Sequence, residues 1–262
     1  MSSSNPTQII DTFNSTPKLY HFTSIKSLLG IIESKTLRFS PLARMNDITE
    51  ASKEIYIEHN ENHPHWNIIN KVEDELKNVG QISLTMDGIL PGFAINSMWG
   101  HYADKGEGCC IVFNRDIILM KCNKLGFKYG EIIYDGAQPD LLILSKGEIE
   151  NIIESKFDDF FLHKSIDWAS EQELRIVNFN MNDDSSELPI NDSIIAVILH
   201  TNCKHSIFNC QAKIALLKQI GDIPILEYHY SKIWGNDSNL MLSDKTGQNW
   251  VGNDLLNYSI DI

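Results

Sequence analysis

The chain of 262 residues is long enough for one large domain or two small ones, and it can bury a core without disulfide or metal staples. Hydrophobic residues make up 42% of it and charged residues 22%, which excludes a long disordered protein. The 22 Lys and Arg against 35 Asp and Glu give a net charge of −13, so the broad basic surface of a general nucleic-acid binder is not expected. A small basic cleft is compatible with this charge, because net charge does not describe a single site.

The cysteines and the N-terminal residues predict a cytoplasmic protein. Five cysteines, an odd number in irregular spacing, are typical of a reducing compartment. The first residues, Met-Ser-Ser-Ser-Asn-Pro-Thr, have neither the charged nor the apolar region of a signal peptide. No apolar run approaches the roughly 20 residues of a spanning helix, so no membrane partner is expected. Cys203, His205 and Cys210 lack a fourth ligand at zinc spacing, and we expect no metal.

The first predicted elements form a strand, a helix and a second strand. Aromatic and branched residues at 19–23 predict the first strand. Ser24 is a candidate N-cap for a helix whose apolar residues recur at helical spacing from Ile25 to Ile32. Residues 36–40 predict the second strand, and a polar segment from Arg44 to about Gly80 follows it.

The rest of the chain shows strands and helices without regular alternation. This pattern predicts an α+β fold with a split, mostly antiparallel sheet and peripheral helices. The predicted strands are 82–85, 108–113, 127–134, 174–180, 194–200 and 223–228, and the predicted helices are 97–102, one from Arg115, 140–169 and 207–220.

The predicted domain organisation has three parts. Residues 1–17 are an N-terminal extension, and residues 18–230 form a single α+β domain. Residues 231–262, rich in Asn, Asp and Gly, are a tail that wraps the surface or stays mobile. The Asp-, Asn- and Ser-rich residues 181–192 are predicted to be a loop.

His21 and Thr23 interrupt the first predicted strand with polar side chains. Because side chains alternate along a strand, these two share one face, and Tyr20 and Phe22 share the other. An imidazole beside a hydroxyl is suited to binding ribose hydroxyls or a carboxamide. The alternative is a core His bonded to a carbonyl, which is the commoner situation for a lone His.

Trp99 and Tyr102 lie three residues apart in a predicted short helix. This spacing places them on one helix face, where one or both offer a flat surface to a planar ring. The alternative is that both are core aromatics, and for Trp99 we favour this interpretation.

The segment from Lys164 to Val177 carries a Glu-x-Glu-x-Arg pattern where a predicted helix gives way to a strand. Alternation places Glu171, Glu173 and Arg175 on one strand face. Two carboxylates and a guanidinium there are suited to charge stabilisation and to orienting hydroxyls. The alternative is a solvated edge-strand face in which Glu171 pairs with Lys164 or Arg175.

Four motifs follow one another along the chain and resemble a bacterial family. The family is known only as a domain of unknown function and occurs in cytoplasmic proteins, some linked to phage defence. The resemblance covers about residues 18–230 and supplies no reaction. The motifs are Tyr-His-x-Thr-Ser at 20–24, Met-Asn-Asp at 45–47, Trp-x-x-Tyr-Ala-Asp at 99–104 and Trp-x-x-Glu-x-Glu-x-Arg at 168–175.

The chain also remotely resembles ADP-ribosyltransferases. These enzymes use a His on the first strand, an aromatic residue against nicotinamide, and a Glu near the start of a later strand. His21, Tyr102 and Glu173 match these positions, and Glu171 matches the first carboxylate of a Glu-x-Glu pattern. The resemblance implies that Glu173 stabilises the cation formed from NAD and that Glu171 orients the acceptor. The other residues expected to bind NAD are Thr23, Ser24, Trp99 and Arg175, the last either on the pyrophosphate or paired with Glu171.

The resemblance therefore implies an NAD-dependent transferase. Such an enzyme breaks the nicotinamide–ribose bond and transfers ADP-ribose to a protein or nucleic-acid acceptor. The resemblance is also compatible with a role as a defence or toxin effector. NAD is then the substrate and no metal takes part. Two alternatives remain: a non-catalytic module that binds a nucleotide or a partner protein, and an NAD glycohydrolase with water as the acceptor.

Overall fold

The computed structural model describes residues 12–42, 76, 78–135, 154, 156–181, 187–200, 220, 223–230, 238–243 and 249–251. The Met-Asn-Asp motif, the Cys203–Cys210 region and all but the last residue of the predicted 207–220 helix lie outside these residues. Two compact units make up the chain. The first comprises Met1–Thr36, Thr85–Ile118 and Ile190–Ile262, and the second comprises Leu37–Leu84 and Leu119–Pro189.

The described strands are β1 (Lys18–Thr23), β2 (Thr36–Arg38), β3 (Ser40–Pro41), β4 (Gly80–Met86), β5 (Cys109–Asn114), β6 (Lys128–Glu131), β7 (Glu173–Asn178), β8 (Glu187–Pro189), β9 (Ile194–His200), β10 (Ile225–Tyr230), β11 (Ser238–Ser243) and β12 (Asn249–Val251). The described helices are α1 (Ile25–Ser34), α2 (Asn96–Tyr102), α3 (Arg115–Leu125) and α4 (Phe157–Phe161), with short 3₁₀ helices at Gly92–Ala94, Asp104–Gly106 and Ile166–Glu171.

The first unit is built on a sheet in the strand order β12-β11-β10-β9-β5-β1. The last two residues of β4, Thr85 and Met86, pair antiparallel with β1. The pairs β1–β5, β5–β9, β10–β11 and β11–β12 are also antiparallel, and β9–β10 is parallel. The predicted α+β class with mostly antiparallel pairing is confirmed.

One face of this sheet carries the apolar core of the first unit. Tyr20 and Phe22 of β1 belong to a buried cluster with Phe93, Trp99 and Tyr228. Aromatic rings fill it: Trp99 lies edge-on to Phe22, with 5.1 Å between ring centroids, and stacks on Tyr228 at 6.1 Å. The segment from Phe93 to Ala103 therefore covers the face to which Tyr20 and Phe22 point.

The second unit contains the strand order β4-β7-β6, with β3 beside β4 and a small sheet formed by β2 and β8. Every residue of β7 is buried, so this strand is not a solvated edge. Its Val177 belongs to a cluster of buried apolar residues together with Leu42, Val79, Ile132, Phe157, Phe160, Phe161 and Leu162.

Several predicted boundaries are wrong, and backbone pairing explains the largest error. In the described part of the predicted 140–169 helix, the α-helix α4 ends at Phe161, because the chain then pairs with Ile133, and residues 166–169 belong to a separate 3₁₀ helix. The Ile133 N–H donates to the Leu162 carbonyl, and the Lys164 N–H donates to the Ile133 carbonyl. A hydrophobic spacing of helical type does not reveal such a distant partner.

Smaller corrections concern the polar segments and a split strand. The predicted strand 36–40 divides into β2 and β3 at Phe39, whose ring is buried against Phe127. The predicted loop 181–192 contains β8, and the predicted strand 127–134 is regular only over β6. The segment 231–262, assigned to a tail, contains β11, which pairs with β10, and β12, which pairs with β11, because main-chain pairing does not require an apolar sequence.

Candidate active site

The start of β7 brings charged side chains into the interior of the second unit. The 3₁₀ helix ends at Glu171, Gln172 adopts a left-handed conformation with φ 48° and ψ 50°, and β7 begins at Glu173. The backbone conformation of Gln172, and not strand alternation, therefore determines how the Glu171 and Glu173 side chains are oriented relative to each other. Glu171 does not lie on the strand, which corrects the sequence-based placement.

Glu171 and Glu173 share one cation, the ammonium of Lys164. Lys164 Nζ lies 2.7 Å from Glu171 Oε2 and 3.2 Å from Glu173 Oε2. All three residues are buried, with Glu171 6% exposed and Glu173 3% exposed. The expected pair of Glu171 with Lys164 is present, but it lies in the interior and not on a solvated face.

Arg175 holds Glu173 from the other side. Its Nε donates to Glu173 Oε1 at 2.9 Å, and its Nη2 donates to Glu173 Oε2 at 3.2 Å. Its Nη1 donates to the Phe161 carbonyl at 2.6 Å, and only 1% of the residue is exposed. Arg175 pairs with Glu173, where the sequence suggested Glu171, and its burial suits fixing that carboxylate better than binding a pyrophosphate.

The charges around Glu173 keep its side chain ionised. Burial alone raises the pKa of the Glu173 carboxyl, but the Arg175 guanidinium and the Lys164 ammonium outweigh burial and lower that pKa to about 2. The Glu173 N–H donates to the Tyr134 hydroxyl at 2.8 Å, and burial raises the pKa of that hydroxyl. At neutral pH the cluster therefore combines a carboxylate anion with a neutral phenol.

Ser83 gives this buried cluster a link to solvent. It hydrogen-bonds the Glu173 carboxylate from β4, the strand beside β7. It is also the exposed residue of a strand whose other residues are buried or half-buried. Ser83 therefore joins the buried Glu173 carboxylate to an exposed residue of the neighbouring strand.

Trp168 completes the group of side chains around Lys164. The Lys164 ammonium lies 4.8 Å from the centroid of the Trp168 ring. At this distance a cation is attracted by the electron-rich face of an indole. Trp168 is half-buried, whereas Glu171 and Glu173 are buried.

The polar residues of β1 lie in the first unit, away from its aromatic core. Because Tyr20 and Phe22 point into that core, His21 and Thr23 point to the opposite face, as alternation predicts. Both are half-buried. Ser24 follows them as the N-cap of α1, and its Oγ accepts the Ser27 N–H at 3.0 Å.

Trp99 and Tyr102 pack on the aromatic side of the first unit. Trp99 is 3% exposed, and its Nε1 donates to the Phe93 carbonyl at 2.7 Å, which is the packing that the core interpretation predicts. Tyr102 is half-buried against the same cluster. The structure therefore brings Tyr102 together with Trp99, and it does not place either ring on the sheet face that carries His21.

The sequence patterns missed Ser83 and Tyr134, and they treated Lys164 only as an ion-pair partner. Ser83 and Tyr134 come from other strands or segments, and nothing in their local sequence marks them. Trp168 had a usable signal: a spacing of three residues from Glu171, which is one turn of a 3₁₀ helix.

The described residues include neither a metal-binding group nor a membrane-spanning helix. Within those ranges, no group of three or more His, Cys, Asp or Glu side chains is arranged to hold a metal ion. None of the described helices is long and apolar enough to cross a membrane.

A family model described as "Protein of unknown function (DUF2971)" matches residues 98–176, which include Trp99, Tyr102 and the Glu171–Arg175 segment. The resemblance to a domain-of-unknown-function family is thereby confirmed over these residues.

The structural match is to DarT from Thermus sp. 2.9, solved in complex with ADP-ribosylated ssDNA. The two chains are 12% identical, the match covers 85% of this chain and 94% of that chain, and the TM-score is 0.33. No curated protein matches the sequence.

Proposed function

We propose that this protein is an ADP-ribosyltransferase-like enzyme that cleaves the nicotinamide–ribose bond of NAD and transfers ADP-ribose to a macromolecule. The proposal joins the motif resemblance to the chemistry of the Lys164–Glu171–Glu173–Arg175 cluster. The acceptor would be a protein or a nucleic acid, and NAD would be a substrate that is consumed.

The observation that carries the proposal is the fixed negative charge of Glu173. Two cations hold the carboxylate in place, and its lowered pKa keeps it ionised at any physiological pH. An anion that is already oriented stabilises a developing positive charge without reorganisation. Such an interaction lowers a reaction barrier by roughly 3–4 kcal/mol. Cleavage of a nicotinamide–ribose bond develops this kind of charge on the ribose.

The proposed reaction follows from this charge. The C–N bond to nicotinamide breaks, and its electron pair leaves with the nicotinamide ring. Glu173 faces the resulting ribosyl cation, and a ribose hydroxyl replaces the Ser83 hydroxyl as a hydrogen-bond donor to the Glu173 carboxylate. An acceptor oxygen, oriented by Glu171, forms the new bond and loses its proton to solvent. Water in that place gives hydrolysis instead.

In the first unit, His21 and Thr23 are the groups that we propose for binding the adenosine-side ribose. Their imidazole and hydroxyl share the sheet face opposite the aromatic core. This assignment rests on the motif resemblance and on the half-buried state of both residues.

A second candidate, a non-catalytic nucleotide- or partner-binding module, is favoured by one specific observation. The Glu173 carboxylate already accepts hydrogen bonds from Arg175, Lys164 and Ser83. A carboxylate whose acceptor sites are all engaged is also what a purely structural ion cluster contains.

Nicotinamide release from NAD by the purified full chain separates the two candidates. The enzyme releases nicotinamide in a manner proportional to protein concentration, and it labels a macromolecule in a cell extract when the adenylate part of NAD is labelled. A binding module shifts its melting temperature with NAD but releases nothing. Release without labelling identifies the NAD glycohydrolase alternative.

A further inference from the structure

The bridge between Ile133 and His163 in the second unit has an inner and an outer side. The two residues pair in parallel, and the Lys164 N–H donates to the Ile133 carbonyl. On the inner side, the Tyr134 hydroxyl accepts the Glu173 N–H, and the Lys164 ammonium pairs with the Glu173 carboxylate. Because side chains alternate along extended chain, Ile133 and His163 point to the outer side.

Large apolar side chains are exposed at this bridge and just after it. Ile133 is 48% exposed, and Ile166 is 64% exposed. Ile166 lies three residues beyond the bridge, a length of chain that spans at most about 11 Å, so it lies close to the bridge. Trp168, in the same 3₁₀ helix, is half-buried. We call these three residues, together with Asp135 and Asp167, the bridge surface.

The exposed charges of the bridge surface are negative. Its two segments, residues 131–135 and 162–171, contain a single Lys or Arg, the buried Lys164 of the ion cluster. Asp135 Oδ1 lies 2.9 Å from His163 Nδ1, and 45% of the Asp135 side chain remains exposed. The exposed charged residues of these segments are all acidic: Glu131, Asp135 and Asp167.

These features fit a protein partner that carries basic residues around an apolar anchor. Carboxylates on one partner attract Lys and Arg side chains on the other, and this complementarity guides association and selects the partner. A nucleic acid would instead bring phosphate charges of the same sign to this surface, and the whole chain has a net charge of −13. An apolar centre with a polar rim is also the usual composition of a protein–protein interface.

We propose that the bridge surface docks a basic segment of a protein, anchored by an apolar side chain on Ile133 and Ile166, and that this protein is the acceptor of ADP-ribose. The acceptor role rests on the proposed function, whereas the docking does not. The location agrees with this role, because the 3₁₀ helix that begins at Ile166 ends at Glu171, the carboxylate proposed to orient the acceptor. Lys164 also joins the two sites, since its N–H bonds to Ile133 and its ammonium pairs with Glu171.

The test of docking uses four variants of the full chain. Ile166→Ser removes an apolar anchor, and Asp167→Lys reverses one charge of the bridge surface. Ile89→Ser and Glu33→Lys are the matched controls, because both residues are exposed in the first unit. The probes are a synthetic peptide with Lys and Arg around a Leu-Leu pair, the same peptide with Ser-Ser in its place, and a single-stranded DNA oligonucleotide. Affinities are measured by fluorescence anisotropy at a temperature where every variant is folded.

The expected result is binding of the Leu-Leu peptide that depends on the bridge surface. Ile166→Ser and Asp167→Lys each weaken it about tenfold, as loss of an interface anchor does, and the two controls stay within about twofold of the unmodified chain. The Ser-Ser peptide and the DNA bind more weakly than the Leu-Leu peptide. Equal affinities in each variant and its matched control, or tighter binding of the DNA, would overturn the docking surface.

A second measurement tests the acceptor role. The chain is incubated with cell extract and NAD labelled in its adenylate part, and the product is then treated with protease or with nuclease. Protease-sensitive label on other proteins, reduced in Ile166→Ser and retained in Ile89→Ser, supports the role. Nuclease-sensitive label overturns it and leaves the enzyme standing. Peptide binding without any nicotinamide release supports the docking surface but overturns the enzyme, and the acceptor role with it.

Discussion

Arg175 donates two hydrogen bonds to the carboxylate of Glu173, from Nε to Oε1 at 2.9 Å and from Nη2 to Oε2 at 3.2 Å. Both residues lie on the same buried strand. Residues two apart on a strand face the same side, so this pair needs no distant partner to form. Lys164 then links the pair to Glu171. The stability of the second unit and the charge of the proposed site thus depend on the same atoms.

The first prediction concerns acid stability. Because the pKa of Glu173 is lowered from 4.5 to about 2, its contribution is fully present above about pH 4.5 and is lost as the pH falls towards 2. The shift corresponds to about 3 kcal/mol of unfolding free energy. Urea unfolding between pH 2 and pH 7 is expected to show this loss in the unmodified chain and a flatter profile in Glu173→Gln. Parallel profiles would contradict the lowered pKa.

The second prediction concerns Lys164. Lys164→Met leaves Glu171 and Glu173 buried without their shared cation, and removing one partner of a buried ion cluster costs about 3–5 kcal/mol. Lys164→Arg keeps the charge and should cost less than Lys164→Met. Urea unfolding at pH 7 measures both, and equal stability of the two variants would show that charge is not what Lys164 supplies.

The third prediction separates the two carboxylates. Glu171→Gln should weaken transfer to a macromolecule while some NAD hydrolysis remains, because water needs little orientation. Glu173→Gln should reduce both reactions about 100-fold or more, since both pass through the same cation. Nicotinamide release and acceptor labelling are assayed side by side on folded protein. Equal losses of both activities in the two variants would refute the division of roles.

The fourth prediction concerns the left-handed residue between these carboxylates. A side chain in that conformation costs roughly 1–2 kcal/mol, which glycine avoids. Gln172→Gly should therefore raise the unfolding free energy by about 1 kcal/mol, and the matched variant Gln172→Ala should not. A stabilised Gln172→Ala would mean that removal of the Gln side chain, and not backbone conformation, is responsible.

The fifth prediction compares two glycines of the first unit. A Cβ at Gly108 would collide with the Thr23 carbonyl and with the backbone of Ala103, whereas a Cβ at Gly100 in α2 meets nothing within 4 Å. Gly108→Ala should destabilise the chain by more than 1 kcal/mol, and Gly100→Ala should stabilise it by up to about 1 kcal/mol. Thermal unfolding of both variants checks the close packing at the end of β1, and a tolerated Gly108→Ala would contradict it.

The sequence correctly predicted features that depend only on neighbouring residues, such as strand alternation and helix capping. Alternation in β1 correctly separated His21 from Tyr20, and the Ser24 cap correctly marked the start of α1. Glu173 and Arg175 were placed on one strand face because their spacing alone determines it. These inferences required no information about distant residues.

The missed features depend on contacts distant in sequence or on one unusual dihedral angle. The pairing of Ile133 with His163 ends the predicted long helix, and no periodicity encodes it. The left-handed Gln172 takes Glu171 off the strand, although its side-chain type does not favour that conformation. Ser83 reaches Glu173 only because β4 lies beside β7, a relation that a single sequence does not display.

Nicotinamide release by the unmodified chain and by Glu173→Gln tests the central claim most directly. Both proteins are incubated with NAD at pH 7 and at a temperature where urea unfolding shows each to be more than 95% folded, and free nicotinamide is followed by proton NMR. The account predicts steady release by the unmodified chain. It predicts that Glu173→Gln lowers the rate of release about 100-fold or more. Equal rates for the two folded proteins, or no release by either, would contradict it.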